Sequence, residues 1–75
     1  MAITDDEKVR LKRDFTYHAP KGNQTERYGV IRSVGGELAS TITALCPDCR
    51  ERSLAITKVE EAVMWANAAI ARNEQ

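Results

Sequence analysis

Apolar residues recur along this chain at helical spacing, in three blocks separated by turn-forming residues. Tyr28, Ile31, Val34, Leu38, Ile42 and Leu45 follow one another at intervals of 3, 3, 4, 4 and 3. Ile56, Val59, Val63, Ala66 and Ile70 follow at 3, 4, 3 and 4, with Ala55, Ala62 and Ala69 repeating every seven residues beside them. Both patterns fit one face of an α-helix. They predict helices over 24–45 and 48–73, the second with the small residues that suit tight packing against a neighbouring helix. A shorter helix is predicted over 4–14. Thr4 with Glu7 has capping-box spacing, and Asp5, Asp6 and Glu7 favour a helix N-terminus. Val9 and Leu11 give it only a narrow apolar face. Between these helices lies 15–23, an extended segment rich in rings and polar groups that ends in the turn formers Pro20 and Gly22. Cys46-Pro47-Asp48 is the second break: Pro47 disfavours helical geometry at Cys46, and Asp48 with Glu51 reads as the cap of the last helix. So short a connection makes the two long helices antiparallel neighbours. Gly29, Gly35 and Gly36 interrupt the first long stripe. Each costs about 1 kcal/mol in a helix relative to Ala, and close approach to a neighbouring chain or ligand is the favoured reason, against a simple kink.

The expectation is therefore an all-α single domain over 1–75, a short helix followed by an antiparallel hairpin. Size complicates it. The chain has 75 residues of which 43% are hydrophobic, and ten of those are alanine. Few large apolar side chains remain, and chains this short usually need disulfides, a metal or oligomerisation. No apolar run reaches the length of a membrane span, and no basic-then-apolar leader opens the sequence, so a cytosolic location is expected. There, two cysteines are thiols rather than a structural bridge, which leaves assembly into a homo-oligomer. Leu54, Met64 and Trp65 fall off the main stripe, as contacts to other subunits or as cover for the first helix.

The formal charge is zero, which argues against a general binder of duplex nucleic acid. It is unevenly spread. Residues 8–32 hold seven Lys or Arg against Asp14 and Glu26, together with Phe15, Tyr17, Tyr28 and His18. Basic groups interleaved with flat rings suit nucleotides, since cations pair phosphates and rings stack on bases. The competing reading is a solvated basic face with the aromatics in a core.

No catalytic set emerges. His18 lacks a local nucleophile or acid partner and is better placed to contact a ligand. Glu60 and Glu61 point about 100° apart on a helix and do not converge. Cys46-x-x-Cys49 at a helix start has redox spacing but no strand before it. With His18 it falls short of four zinc ligands unless two chains combine. Structural or incidental thiols are the favoured reading, and neither metal nor cofactor is expected. Asn67, within an alanine-rich stretch, is expected to hydrogen-bond across an interface.

Two stretches carry a family resemblance. The first is Phe15-Thr16-Tyr17-His18-Ala19-Pro20. The second runs from Cys46-Pro47 through Arg50-Glu51, Ser53-Leu54, Thr57-Lys58, Glu60-Glu61 and Met64-Trp65-Ala66-Asn67 to Ile70-Ala71-Arg72-Asn73. From Phe15 to Asn73 the chain resembles the helical-hairpin family shared by phage anti-CBASS cyclic-nucleotide sponges and anti-Thoeris sponges. It departs from the expected pattern at Gly35-Gly36 and at Cys49. The resemblance implies an all-helical homo-oligomer, often a hexamer, without enzymatic activity. In the host bacterial cytoplasm it would sequester cyclic di- or oligonucleotide immune signals such as cyclic GMP-AMP. Tyr17 maps onto the family's base-stacking aromatic at an inter-subunit pocket, within the segment that holds His18 and Pro20. Arg27 or Arg32 maps onto the phosphate-facing start of the second helix, with Lys21 from the loop. Arg72 is the matching position for a second site that takes cyclic trinucleotides. Sequestration of cyclic ADP-ribose-type Thoeris signals is the alternative within the family. Outside it, the alternative is a helical protein–protein interaction module.

Overall fold

A computed structural model describes residues 2–74. It is all-helical: α1 (Asp5–Phe15), α2 (Gln24–Leu45) and α3 (Arg50–Asn73), with no strand among the described residues. The capping box forms as the sequence predicts. Thr4 Oγ1 accepts from the Glu7 amide at 3.1 Å, and the Glu7 carboxylate accepts from the Thr4 amide at 3.1 Å. These bonds to Thr4 hold the Glu7 carboxyl below its ordinary value. Thr4 is thus the cap, and the helix reaches one residue further than expected, taking in Phe15.

The last helix starts later than predicted. Cys49 is its N-cap and makes no side-chain capping bond. Asp48 instead pairs with Arg52 Nη2 at 3.0 Å. Arg52 Nη1 also donates to the carbonyl oxygens of Thr43 and Cys46, both at 3.2 Å. A guanidinium one turn into α3 therefore satisfies the C-terminal carbonyls of α2, and a carboxylate before the helix holds that guanidinium rather than capping α3.

α2 and α3 pack as an antiparallel hairpin, in a slab with extents of 50 × 36 × 13 Å. The radius of gyration is 16.5 Å, against about 11 Å for a compact domain of this length. Among the described residues no hydrophobic side chain is buried. The seam differs in register from the sequence expectation. On α3 the stripe Ile56, Val59, Val63, Ala66 and Ile70 is half-buried as predicted; on α2 the half-buried positions are Arg27, Tyr28, Gly29, Ile31, Gly35, Ala39 and Ile42. Val34, Leu38 and Leu45, expected in the seam, are exposed. Close approach explains the exchange. A methyl group at Gly35 would fall well inside contact distance of Val63 Cγ2, whereas Gly29 and Gly36 face open space. The close approach is thus to α3 of the same chain, and α2 runs unbroken through all three glycines. The displaced Val34 and Leu38 line an apolar groove of about 400 Å³ with Ile31, Val59 and Val63. Leu54, Met64 and Trp65 are also exposed and so do not cover α1.

Gln24 is the one buried residue among those described, at 6% exposure. Its Oε1 accepts from the Lys21 amide at 2.9 Å, and its Nε2 donates to the Glu74 carbonyl oxygen at 3.3 Å. It pins the end of α3 to the loop that enters α2. Gly22 in that loop takes a positive φ of 54°, which a residue without Cβ adopts most easily.

Candidate functional site

The site lies where the segment after α1 crosses the open end of the hairpin. His18 anchors that segment. Its Nε2 lies 2.7 Å from the Arg13 carbonyl oxygen; a carbonyl only accepts, so Nε2 carries the proton. Arg13 Nε pairs with Asp14 Oδ1 at 3.0 Å, and its Nη1 donates to Asn73 Oδ1 at 3.2 Å. Arg72 Nε reaches the same Asp14 oxygen at 3.8 Å. Asp14 therefore ties the end of α1 to the last turn of α3, and one carboxylate orients two guanidiniums.

These contacts wall a pocket of about 440 Å³, lined by Tyr17, His18 and Pro20 from the segment, Tyr28 and Arg32 from α2, and Asn67, Ala68, Ala71 and Arg72 from α3, with Arg13, Asp14 and Thr16 at its edge. The volume falls within the range of small-ligand sites. Five of the seven sequence-predicted residues meet here: Tyr17, His18, Pro20, Arg32 and Arg72. Tyr17 is 83% exposed, so its ring belongs to no core of this chain. Arg32 has no hydrogen-bond or ion-pair partner among the described residues.

Lys21 borders an adjoining cavity of about 300 Å³ with Tyr17, His18 and Gln24. Arg27 stands apart from the pocket. Its Nη1 donates to Glu74 Oε2 at 3.0 Å and its second terminal nitrogen to the other oxygen of that carboxylate, a two-pronged pair. Bonding to Glu74 raises the Arg27 pKa, and bonding to Arg27 lowers that of Glu74. On the far side of the Arg13–His18–Arg72 wall lies a second cavity of about 780 Å³, bordered also by Val9 and Lys12.

Sequence reasoning missed Arg13, Asp14, Tyr28 and Asn67 as site residues. Tyr28 was visible as a member of the apolar stripe and of the basic-aromatic block, but not as a site residue. Asn67 was expected to bond across an interface; its Oδ1 is buried and has no hydrogen-bond partner among the described residues. Cys46 and Cys49 are free thiols, exposed and half-buried respectively, at the opposite end of the hairpin. Among the described residues no group of three or more His, Cys, Asp or Glu could hold a metal ion, and no helix is long and apolar enough to cross a membrane.

Comparison with curated proteins and with solved structures gives no match. A family model described as the Acb2/Tad1 hairpin domain matches residues 7–71, from the first turn of α1 to the pocket residue Ala71. That span takes in the hairpin and the Tyr17–Pro20 segment, and the chain belongs to this all-helical family of anti-defence sponges.

Proposed function

We propose that the chain binds and sequesters cyclic di- or oligonucleotide immune signals, cyclic GMP-AMP among them, without turning them over. In the cytoplasm of a bacterial host this starves the CBASS effector of its activator. The observation that carries the reading is the composition of the 440 Å³ pocket. Tyr17 and Tyr28 line it and supply aromatic rings for stacking on a base. Arg13, Arg32 and Arg72 against Asp14 leave a surplus of two positive charges, which matches the two phosphodiesters of a cyclic dinucleotide. Family membership points the same way. Arg32, unpaired, is the principal phosphate contact. Lys21 serves from the adjoining cavity, and Arg27 joins only by exchanging Glu74 for a phosphate. A cyclic trinucleotide fits the larger cavity behind Arg72, where Lys12 and Arg13 add charge.

Binding takes place within a homo-oligomer, a hexamer in keeping with the sequence resemblance. Support comes from the shape. A slab 13 Å thick with Trp65 58% exposed and Leu45 79% exposed leaves apolar surface that another copy would cover. If those side chains stayed uncovered in the assembled protein, the interaction-module reading would gain instead.

Calorimetric titration tests the pocket. A base stacked on tyrosine contributes about 1–3 kcal/mol, so Tyr17→Ala lowers cyclic-dinucleotide affinity roughly 5- to 150-fold at 1.4 kcal/mol per decade. The melting temperature and oligomeric state stay unchanged. Arg32→Ala weakens binding more at low salt than at high salt, because the ionic contact is screened. Parent-like binding by Tyr17→Ala contradicts the assignment. Preference for a cyclic ADP-ribose-type ligand in the same titrations moves the protein to the Thoeris branch.

A further inference from the structure

The Glu74 carboxylate is held as an anionic ligand would be. Its two oxygens accept from the two terminal nitrogens of Arg27, and Gln24 Nε2 stands 3.5 Å from Oε1. Arg27 is itself oriented by Asn23, whose Oδ1 accepts from Arg27 Nε at 3.0 Å. Gln24 is the buried residue that joins the end of α3 to the loop before α2, so the fold fixes this donor. A guanidinium fork presented in this way suits phosphate as well as carboxylate. Glu74 also borders the 300 Å³ cavity, where the Lys21 side chain has no ion-pair partner among the described residues. That cavity and the 440 Å³ pocket share Tyr17, His18 and Ala71. The internal occupant is not locked in place. The side chains of Arg27 and Glu74 are 39% and 42% exposed, and exposed ion pairs contribute little.

We infer that Lys21, Gln24 and Arg27 form an anion subsite of the nucleotide pocket, filled in the free protein by the Glu74 carboxylate, and that a phosphodiester of the bound cyclic nucleotide displaces that carboxylate from Arg27. The inference rests on the nucleotide-binding reading above and says where the second phosphodiester goes. Arg32 takes one. Arg13 and Arg72 are drawn to Asp14, whereas displacement of Glu74 frees Arg27 near Lys21. Tyr17 lines both cavities, so a nucleotide stacked on it borders both. Gln24 also donates to the backbone carbonyl of Glu74, so the end of the hairpin stays tied when the carboxylate leaves. Glu74 is thus an internal competitor. It weakens the binding of the anion by whatever its own pair with Arg27 contributes, and an uncharged ligand has no means to displace it.

Cyclic GMP-AMP is titrated calorimetrically into the parent, Glu74→Gln, Arg27→Gln and the double variant. Glu74→Gln is expected to bind up to about fivefold more tightly, the upper end of what an exposed ion pair contributes, because that pair no longer has to be broken. Arg27→Gln is expected to cost more in the Glu74→Gln background than in the parent, by the same factor. A mere change in net charge would make the two substitutions additive. Additivity therefore overturns the inference and leaves the nucleotide reading standing. A second readout needs no variant. Arg27 holds the Glu74 carboxyl below its ordinary value in the free protein. That carboxyl is followed by NMR through an acid titration, with and without saturating cyclic GMP-AMP. Release from Arg27 is expected to bring it back up towards the ordinary value. A carboxyl that stays lowered in the saturated protein overturns the inference, even where a variant fails to fold. A parent that binds no cyclic nucleotide overturns both this inference and the reading it rests on.

Discussion

Two adjacent glycines in α2 should respond unequally to alanine. Gly35 faces Val63 across the hairpin seam, and an added Cβ would fall well inside contact distance of Val63 Cγ2; Gly36, one residue on, meets nothing within 4 Å. Each Gly→Ala change gains helix propensity of about 1 kcal/mol. At Gly36 nothing opposes that gain, so Gly36→Ala is expected to stabilise by about 1 kcal/mol. At Gly35 the gain is offset by overpacking, typically about 1–3 kcal/mol. Val63 has little room to relieve it, because a β-branched side chain in a helix has one strongly preferred rotamer. The helices must separate instead. Since the propensity gain is common to both variants, the gap between them isolates the seam contact at about 1–3 kcal/mol. At about 4–8 °C per kcal/mol for a domain of this size, that is a difference of roughly 4–24 °C in Tm. Urea unfolding and thermal melts followed by circular dichroism at matched concentration give both numbers. The double variant Gly35→Ala, Val63→Ala should recover part of the loss, a coupling that neither single change predicts. Equal stability of Gly35→Ala and Gly36→Ala would refute the register of the seam.

Trp65→Ala should weaken assembly. With roughly 250 Å² for the side chain, 58% exposure leaves about 145 Å² for a partner copy to cover, about 3–4 kcal/mol at 25 cal/mol per Å². Light scattering over a dilution series should then show dissociation at a concentration roughly two to three decades higher, and an unchanged profile speaks against Trp65 at the interface. The Arg27–Glu74 pair predicts a pH dependence. Because Arg27 holds the Glu74 carboxyl below its ordinary value near 4.5, the pair's contribution is full above that value and is lost as the pH falls through the lowered one. The stability gap between parent and Glu74→Gln should therefore close on acidification below about 4.5, and also narrow with added salt. A gap that widens towards acid would be the wrong sign.

The helices were legible where local chemistry decides them. The Thr4–Glu7 box and the heptad-like α3 stripe act within a turn or two, and the structure carries both. The α2 seam was misread because a periodicity weighs large apolar residues, whereas close packing selected Gly35 and Ala39 and pushed Val34 and Leu38 outward. The start of α3 was misread for a related reason: Asp48 has the composition of a cap, but Arg52 claims its carboxylate. In the site, Tyr17, His18, Pro20, Arg32 and Arg72 could be marked from the sequence, and they share one pocket. Its other walls are tertiary. Asp14 meets Arg72, and Arg13 meets Asn73, only because α3 returns to the end of α1. The engagement of Arg27 by Glu74 spans 47 residues, and no spacing rule reaches that far.

The claim that this protein withdraws a nucleotide signal without altering it is tested most directly by binding followed by recovery. Cyclic di- and trinucleotides are titrated calorimetrically, and the saturated protein is then separated from free ligand and denatured. The released nucleotide is identified by mass. The account predicts saturable binding of a cyclic nucleotide, at a fixed ratio to protein, and its release chemically unchanged even after prolonged incubation. A linearised or hydrolysed product, or the absence of binding to any cyclic nucleotide, would contradict it.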